Sequence, residues 1–164
     1  STLLQTIAGS TALSEGRILY SVAGNELVPE NAFTQLSICA PYLTLIEEMT
    51  ALEFLAFHER FKSFMPGITP EIIIETIGLT DAANKQIRYY SSGMKQRIKL
   101  AQAIFSNVPV LFLDEPCTNL DETGYALYQS LIQNYASSKL IIVSSNDKLE
   151  YNFCEEVIDI KKYK

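Results

Sequence analysis

Two adjacent acids, Asp114 and Glu115, close a continuous apolar run at residues 108–113. Carboxylates at the end of a buried strand are costly unless a cation or a water network holds them, so the pair points to a metal-nucleotide site. Upstream, Ser91-Ser92-Gly93 opens a helix whose apolar residues Met94, Ile98, Ala101 and Phe105 recur on one face. Either serine can act as N-cap, and Gly93 lets another molecule approach the backbone closely. Free N–H groups and hydroxyls at such an end attract phosphate. A capped helix followed by a strand with acids at its end, without chemistry, is the competing reading of the same pattern.

The elements that must position these groups follow from the periodicity. Residues 108–113 have the composition of a parallel strand covered on both faces, and residues 140–143 repeat it before Ser144-Ser145-Asn146-Asp147. Residues 16–22 read as a strand turning at Ala23-Gly24-Asn25; residues 36–40 form a second, ending at Pro41-Tyr42; residues 157–160 form the last. Residues 43–90 are helical in character. Met49, Leu52, Phe54, Leu55, Phe57 and Phe61 make an apolar helix expected to face the core; Pro66-Gly67 breaks it, and residues 70–77 supply another before Gly78. A further helix covers residues 125–135. Alternating strands and helices, with acids at a strand's carboxyl end, predict an α/β fold with a mainly parallel sheet.

Composition narrows the function classes. With 164 residues and 48% apolar content the chain can bury one good core, so one domain is expected. A net charge of −6 argues against nucleic acid as the main partner, which would call for a basic groove. Cys39, Cys117 and Cys154 lack C-x-x-C spacing, which suggests neither a disulfide framework nor a zinc site and fits a reduced cytosolic setting. The single histidine, His58, reads as an exposed helix residue without a role. No apolar run approaches the roughly 20 residues that span a bilayer, so membrane association is expected to come through a partner.

YSSGM (residues 90–94), VLFLDEP (residues 110–116) and TNLD (residues 118–121) stand in an order and spacing that resemble the ATP-binding domain of ABC transporters. They correspond to its signature, its Walker B strand and its D-loop. Ser1-Thr2-Leu3-Leu4 is similar to the last position of the phosphate-binding loop G-x-x-x-x-G-K-[ST] running into its helix. The resemblance covers nearly the whole chain. It implies an ABC ATP-binding domain over 1–164 that lacks the N-terminal strands and most of the phosphate-binding loop. Residues 43–90 resemble the inserted helical subdomain.

The resemblance implies a P-loop NTPase-like, mainly parallel sheet with an antiparallel β segment and that helical insertion. It further implies an ATP-binding and ATP-hydrolysing subunit, with ATP and Mg²⁺ as cofactors, whose dimerisation drives transport by membrane subunits. Ser1 and Asp114 would hold Mg²⁺, Thr2 would lie beside the inner phosphates, and Glu115 would polarise the attacking water. Ser91, Ser92 and Gly93 would reach the terminal phosphate bound by a second ATP-binding domain, of the same or another chain, and Asp121 would communicate across that interface. Tyr42 stands where the family usually carries a glutamine, and Asn146 where it carries the switch histidine. Asparagine can donate a hydrogen bond to phosphate yet carries no proton or positive charge. The implied partners are transmembrane permease subunits, with no nucleic acid, and the implied location is the cytoplasmic face of a membrane. YSSGMKQR leans towards export. Tyr42 and Asn146 motivate the alternative of a degenerate nucleotide-binding regulatory subunit with little or no turnover.

Overall fold

The computed structural model describes residues 2–22 and 24–163. In chain order the elements are α1 (Thr2–Ile7), β1 (Tyr20–Val22), β2 (Asn25–Leu27), β3 (Leu36–Cys39), α2 (Ala51–Glu59) and α3 (Pro70–Thr76). Then follow α4 (Ser92–Phe105), β4 (Val110–Asp114), α5 (Glu122–Leu131) and β5 (Leu140–Ser144). β4 lies between β3 and β5 and is parallel to both, while β1 and β2 form a separate antiparallel hairpin turning at Gly24, whose φ of 81° suits a residue without a Cβ. The arrangement is the expected α/β fold with a parallel sheet and an antiparallel segment.

β4 is central because its composition allows burial on both faces: Leu111, Phe112 and Leu113 are 0%, 2% and 0% exposed. Alternation sends Leu111 and Leu113 into the main core with α4 and α5, and Phe112 to the opposite face against Leu4 of α1 and Leu36. That main core continues into residues 43–90 through Ala51, Leu55, Ile73 and Ile77, so one hydrophobic interior joins the helical segment to the sheet.

The helix starts obey local chemistry. Thr50 and Glu53 form a capping box at α2, with the Glu53 carboxyl held below its ordinary range by the Thr50 backbone and hydroxyl. Thr69 caps α3, which has Pro70 in its first turn. α4 differs from its sequence pattern. Besides Ile98, Ala101 and Phe105, its Gln96, Leu100, Ala103 and Ile104 are buried, so it is enclosed nearly all round instead of packing by one face.

Enclosure exposes α4 to a specific cost, because its last four carbonyls have no partner within the helix. Each finds one elsewhere. The Gln102 carbonyl accepts from Ser106 Oγ at 2.6 Å, Ala103 from Ser37 Oγ at 2.7 Å, Ile104 from Lys139 Nζ at 2.8 Å and Phe105 from the Met65 N–H at 2.9 Å. Lys139 also donates to the Ser106 carbonyl, and burial pulls its ammonium down to about 8.

Several expectations change in the folded chain. His58 is half-buried, stacked on Phe64 at 5.6 Å with Nε2 3.1 Å from Ser106 Oγ, because the sequence does not show which face of α2 meets the end of α4. Phe57 and Phe61, expected in the core stripe, are 38% and 75% exposed and pack edge-to-face on each other. Regular pairing in 16–22 is confined to β1, since β2 is only three residues long. α5 begins at Glu122, earlier than expected, because Asp121 caps it, and residues 132–136 continue it as a wider turn. β5 is a half-buried strand, not a fully buried one, with Leu140 61% exposed. Residues 157–160 form no strand: among the described residues none lies along the outer edge of β5 to pair with them, and Val157 and Ile158 are 69% and 67% exposed. No helix among the described residues is long and apolar enough to cross a membrane.

Two stability predictions follow from the α4 terminus. Lys139→Met removes the partner of the Ile104 carbonyl and should cost about 1–3 kcal/mol in urea denaturation at unchanged slope. Burial and the Lys62 cation hold the His58 imidazole at about 4 in the folded chain, below its ordinary value of about 6.5. The unfolded chain therefore takes the proton first, so this contribution is complete above about 6.5 and is lost as pH falls towards about 4. His58→Gln should show a flatter stability profile across that window.

Candidate functional site

β4 delivers Asp114 to the sheet's carboxyl end, 1% exposed, and the chain then turns sharply so that the neighbouring Glu115 is exposed. Asn119 has φ 65°, which asparagine adopts readily, but Glu115 has φ 43°, a conformation that costs of order 1–3 kcal/mol and persists where surrounding bonds over-determine it. Here they do. The Glu115 N–H donates to the Ser144 carbonyl at 2.9 Å, and its own carbonyl accepts from the Thr118 N–H at 3.1 Å. Gln96 Nε2 donates to the Pro116 carbonyl at 2.7 Å, and the Cys117 N–H donates to Glu150 Oε1 at 2.9 Å.

Parallel pairing sets Ser144 opposite Asp114, so the Ser145-Asn146 loop leaves the sheet beside the acid pair. Asn146 is exposed. Asp147 Oδ1 accepts from the Leu149 N–H at 2.9 Å and caps the short turn at Lys148–Tyr151.

The start of α4 opens onto a different place, a hollow of about 480 Å³ bordered by Ser91, Ser92, Gly93, Arg97, Asn119 and Asp121. Ser91 Oγ accepts from the Met94 N–H at 3.2 Å as the helix N-cap. A Cβ on Gly93 would lie 3.0 Å from the Asn119 carbonyl oxygen, so a larger residue would push the loop after β4 back by a few tenths of an ångström. Asp121 Oδ1 accepts from the Gly124 N–H at 2.8 Å and from Thr123 Oγ1 at 2.9 Å, with Arg97 Nη2 3.7 Å away. Those bonds, the Gly124 amide foremost, hold the Asp121 carboxyl below its ordinary range.

The fold thus separates the candidates into two groups. Asp114, Glu115 and Asn146 gather at the sheet's end, while Ser91, Ser92, Gly93 and Asp121 border the hollow, whose lining includes neither acid of the pair. Tyr42 leaves the sheet at the same end as the acid pair, on the other side of β4, since Cys39 of β3 pairs with Leu113. It is 47% exposed on the loop after β3, which Lys99 fastens by donating to the Pro41 carbonyl at 2.9 Å. Thr2 opens α1 and is exposed. Ser1 lies outside the described residues. The donor types suit Mg²⁺ and phosphate: a hard divalent cation takes carboxylate oxygens, and the α4 start offers a hydroxyl cap and a glycine close to neighbouring backbone.

Two residues of the site escaped the sequence reading. Gln96 is 3% exposed and faces inward with Gly93, Leu100 and Ala103, a helical spacing that could have revealed it. Glu150 is 5% exposed between Leu149 and Tyr151, and no periodic pattern marks it.

Comparison with known proteins agrees with this architecture. The family model described as ABC transporter matches residues 1–118. A cytochrome c biogenesis ATP-binding export protein of Xylella fastidiosa is 33% identical over 131 residues, 80% of this chain and 58% of its own length. An uncharacterized ABC transporter ATP-binding protein of Bacillus subtilis, YhcH, is 29% identical over 99% of this chain and 54% of its own. The chain therefore spans little more than half the length of these relatives. Among solved structures, an ATP-binding subunit of an ABC transporter superposes with TM-score 0.74 at 21% identity, covering 93% of this chain and 65% of that one. A bacterial Atm1-family ABC exporter with ATP bound gives TM-score 0.71 at 18% identity over 92% of this chain and 28% of that one, so both show a shared fold. With the family match running through the acid pair on β4 and its turn, the chain belongs to the ABC transporter family.

Proposed function

We propose that the protein is the ATP-binding, ATP-hydrolysing subunit of a transporter and works as a dimer on transmembrane permease subunits at the cytoplasmic face of a membrane. The observation that carries this reading is the separation of the two groups. The hollow at the α4 start is lined by neither acid of the pair. A second ATP-binding domain, from a like or unlike chain, would let both groups act on one nucleotide. The lean towards export rests on YSSGMKQR and on the export protein among the relatives.

In this reading Asp114 would hold Mg²⁺ from its buried position, with Ser1 completing the site and Thr2 beside the inner phosphates. Mg²⁺ would supply charge neutralisation of the phosphate oxygens. The Glu115 carboxylate accepts a hydrogen bond from the attacking water and takes its proton as the new P–O bond forms and the bond from the terminal phosphorus to the bridging oxygen breaks, with ADP as the leaving group. The left-handed backbone at Glu115 turns that carboxyl away from the sheet while Asp114 stays enclosed. Asn146 donates to the terminal phosphate from the neighbouring loop and leaves proton transfer to Glu115. From the other protomer, Ser91, Ser92 and Gly93 present hydroxyls and backbone N–H groups to the same phosphate. Asp121, at the rim of the hollow and tied to Arg97, links that contact to the loop after β4. Residues 43–90 serve as the helical insertion, and Tyr42 lies on the loop between it and the sheet.

In the full-length protein, Glu115→Gln should keep ATP binding while steady-state hydrolysis falls about 10²–10⁴-fold. An unchanged rate would remove Glu115 from the reaction, and wild-type binding without turnover would favour a regulatory subunit. Ser92→Glu places a negative charge at an exposed helix start, which the helix dipole tolerates. It should abolish ATP-induced dimerisation in size-exclusion chromatography while thermal stability stays unchanged; a dimer of wild-type strength would remove the hollow from the interface.

A further inference from the structure

Glu150 is a poor choice for stability alone. Its carboxyl is buried against the Cys117 thiol, one oxygen accepts the Cys117 N–H at 2.9 Å, and the other, Oε2, has no hydrogen bond of ordinary geometry among the described residues. No lysine or arginine among the described residues forms an ion pair with it. Burying a carboxyl half satisfied costs more than an apolar side chain of similar shape would, so a specific use is called for.

Its position supplies one. Glu150 sits on the turn at Lys148–Tyr151, capped by Asp147 directly after Asn146. That turn is anchored from the core, where the fully buried Tyr128 donates from its hydroxyl to the Glu150 carbonyl at 2.7 Å. From this anchor the Glu150 side chain crosses to Cys117, two residues beyond the strained Glu115. Gln96, reaching from α4, holds the Pro116 carbonyl between them at 2.7 Å. The turn carrying Glu115 is thus gripped through adjacent residues, once from α4 and once from the Asn146 loop.

We propose that Glu150 is a positioning residue that fixes the left-handed turn carrying Glu115 and makes that turn and the Asn146 loop move as one unit. The inference rests on the reading of Glu115 as the group that takes the water's proton. Glu150 acts as a hydrogen-bond acceptor on a rigid support and touches neither nucleotide nor water.

The test compares Glu150→Ala and Glu150→Gln in the full-length protein by steady-state ATP hydrolysis and by hydrogen exchange at the Cys117 amide. Ala removes the acceptor. It should lower kcat at least about tenfold with KM for ATP within about twofold, and speed Cys117 exchange at least about tenfold. Gln keeps an acceptor oxygen at the same reach and should restore both. If Ala does not fold, Glu150→Asp, shorter by one methylene, takes its place with the same expectations. Faster Cys117 exchange with kcat unchanged would overturn the proposal, as would a folded Gln variant as impaired as Ala. Should the wild-type protein turn over no ATP, the reading of Glu115 fails. Exchange then decides the clamp separately: acceleration confined to residues 115–118 and reversed by Gln sustains it, and unchanged exchange overturns it.

Discussion

Burying the end of α4 is the constraint on which the rest of the structure depends. A helix enclosed almost all round gains the burial of Ile98, Leu100, Ala101, Ile104 and Phe105, but it also takes its last carbonyls out of water. Ser37 from β3, Lys139 from before β5, Met65 from the segment after α2 and Ser106 from the helix's own exit each supply a donor. These bonds join the sheet and the helical segment at one point. Because the buried end is fixed there, the opposite end, with Ser91 and Gly93, is held at the hollow.

The same helix reaches the acid pair. Gln96 crosses from α4 to the turn after β4, so the start of the helix and the Glu115 turn share a rigid connection. Glu150 provides the second hold from the Asn146 side. Strain at Glu115 is sustained by this bracing, and the result is a division of labour between adjacent acids. Asp114 is enclosed at the sheet's end, and Glu115 faces outward.

The organisation of the fold was legible in the sequence wherever a local rule governed it. Residues 108–113 read as a strand covered on both faces because only a central parallel strand tolerates unbroken apolar composition. The cap of α4 was visible in Ser91, whose side chain bonds an amide a few residues ahead. The acid pair stood out because two charges at the end of such a run demand an explanation. Failures came where partners are distant in sequence. Residues 157–160 have strand composition, but without a neighbouring strand among the described residues they stay exposed.

By itself, the sequence determined the central strand, the capped start of α4, and the types of group that phosphate or a cation would meet. These are properties of neighbouring residues, set by periodicity and by hydrogen bonds of short span. Only the tertiary structure decided that His58 leaves solvent for Ser106 and that Phe57 and Phe61 miss the core. It alone separated the acid pair from the α4 hollow and showed that Gln96 and Glu150 brace Glu115. Each of those outcomes depends on contacts across tens of residues, whose geometry exists only once α4 and the three parallel strands have packed.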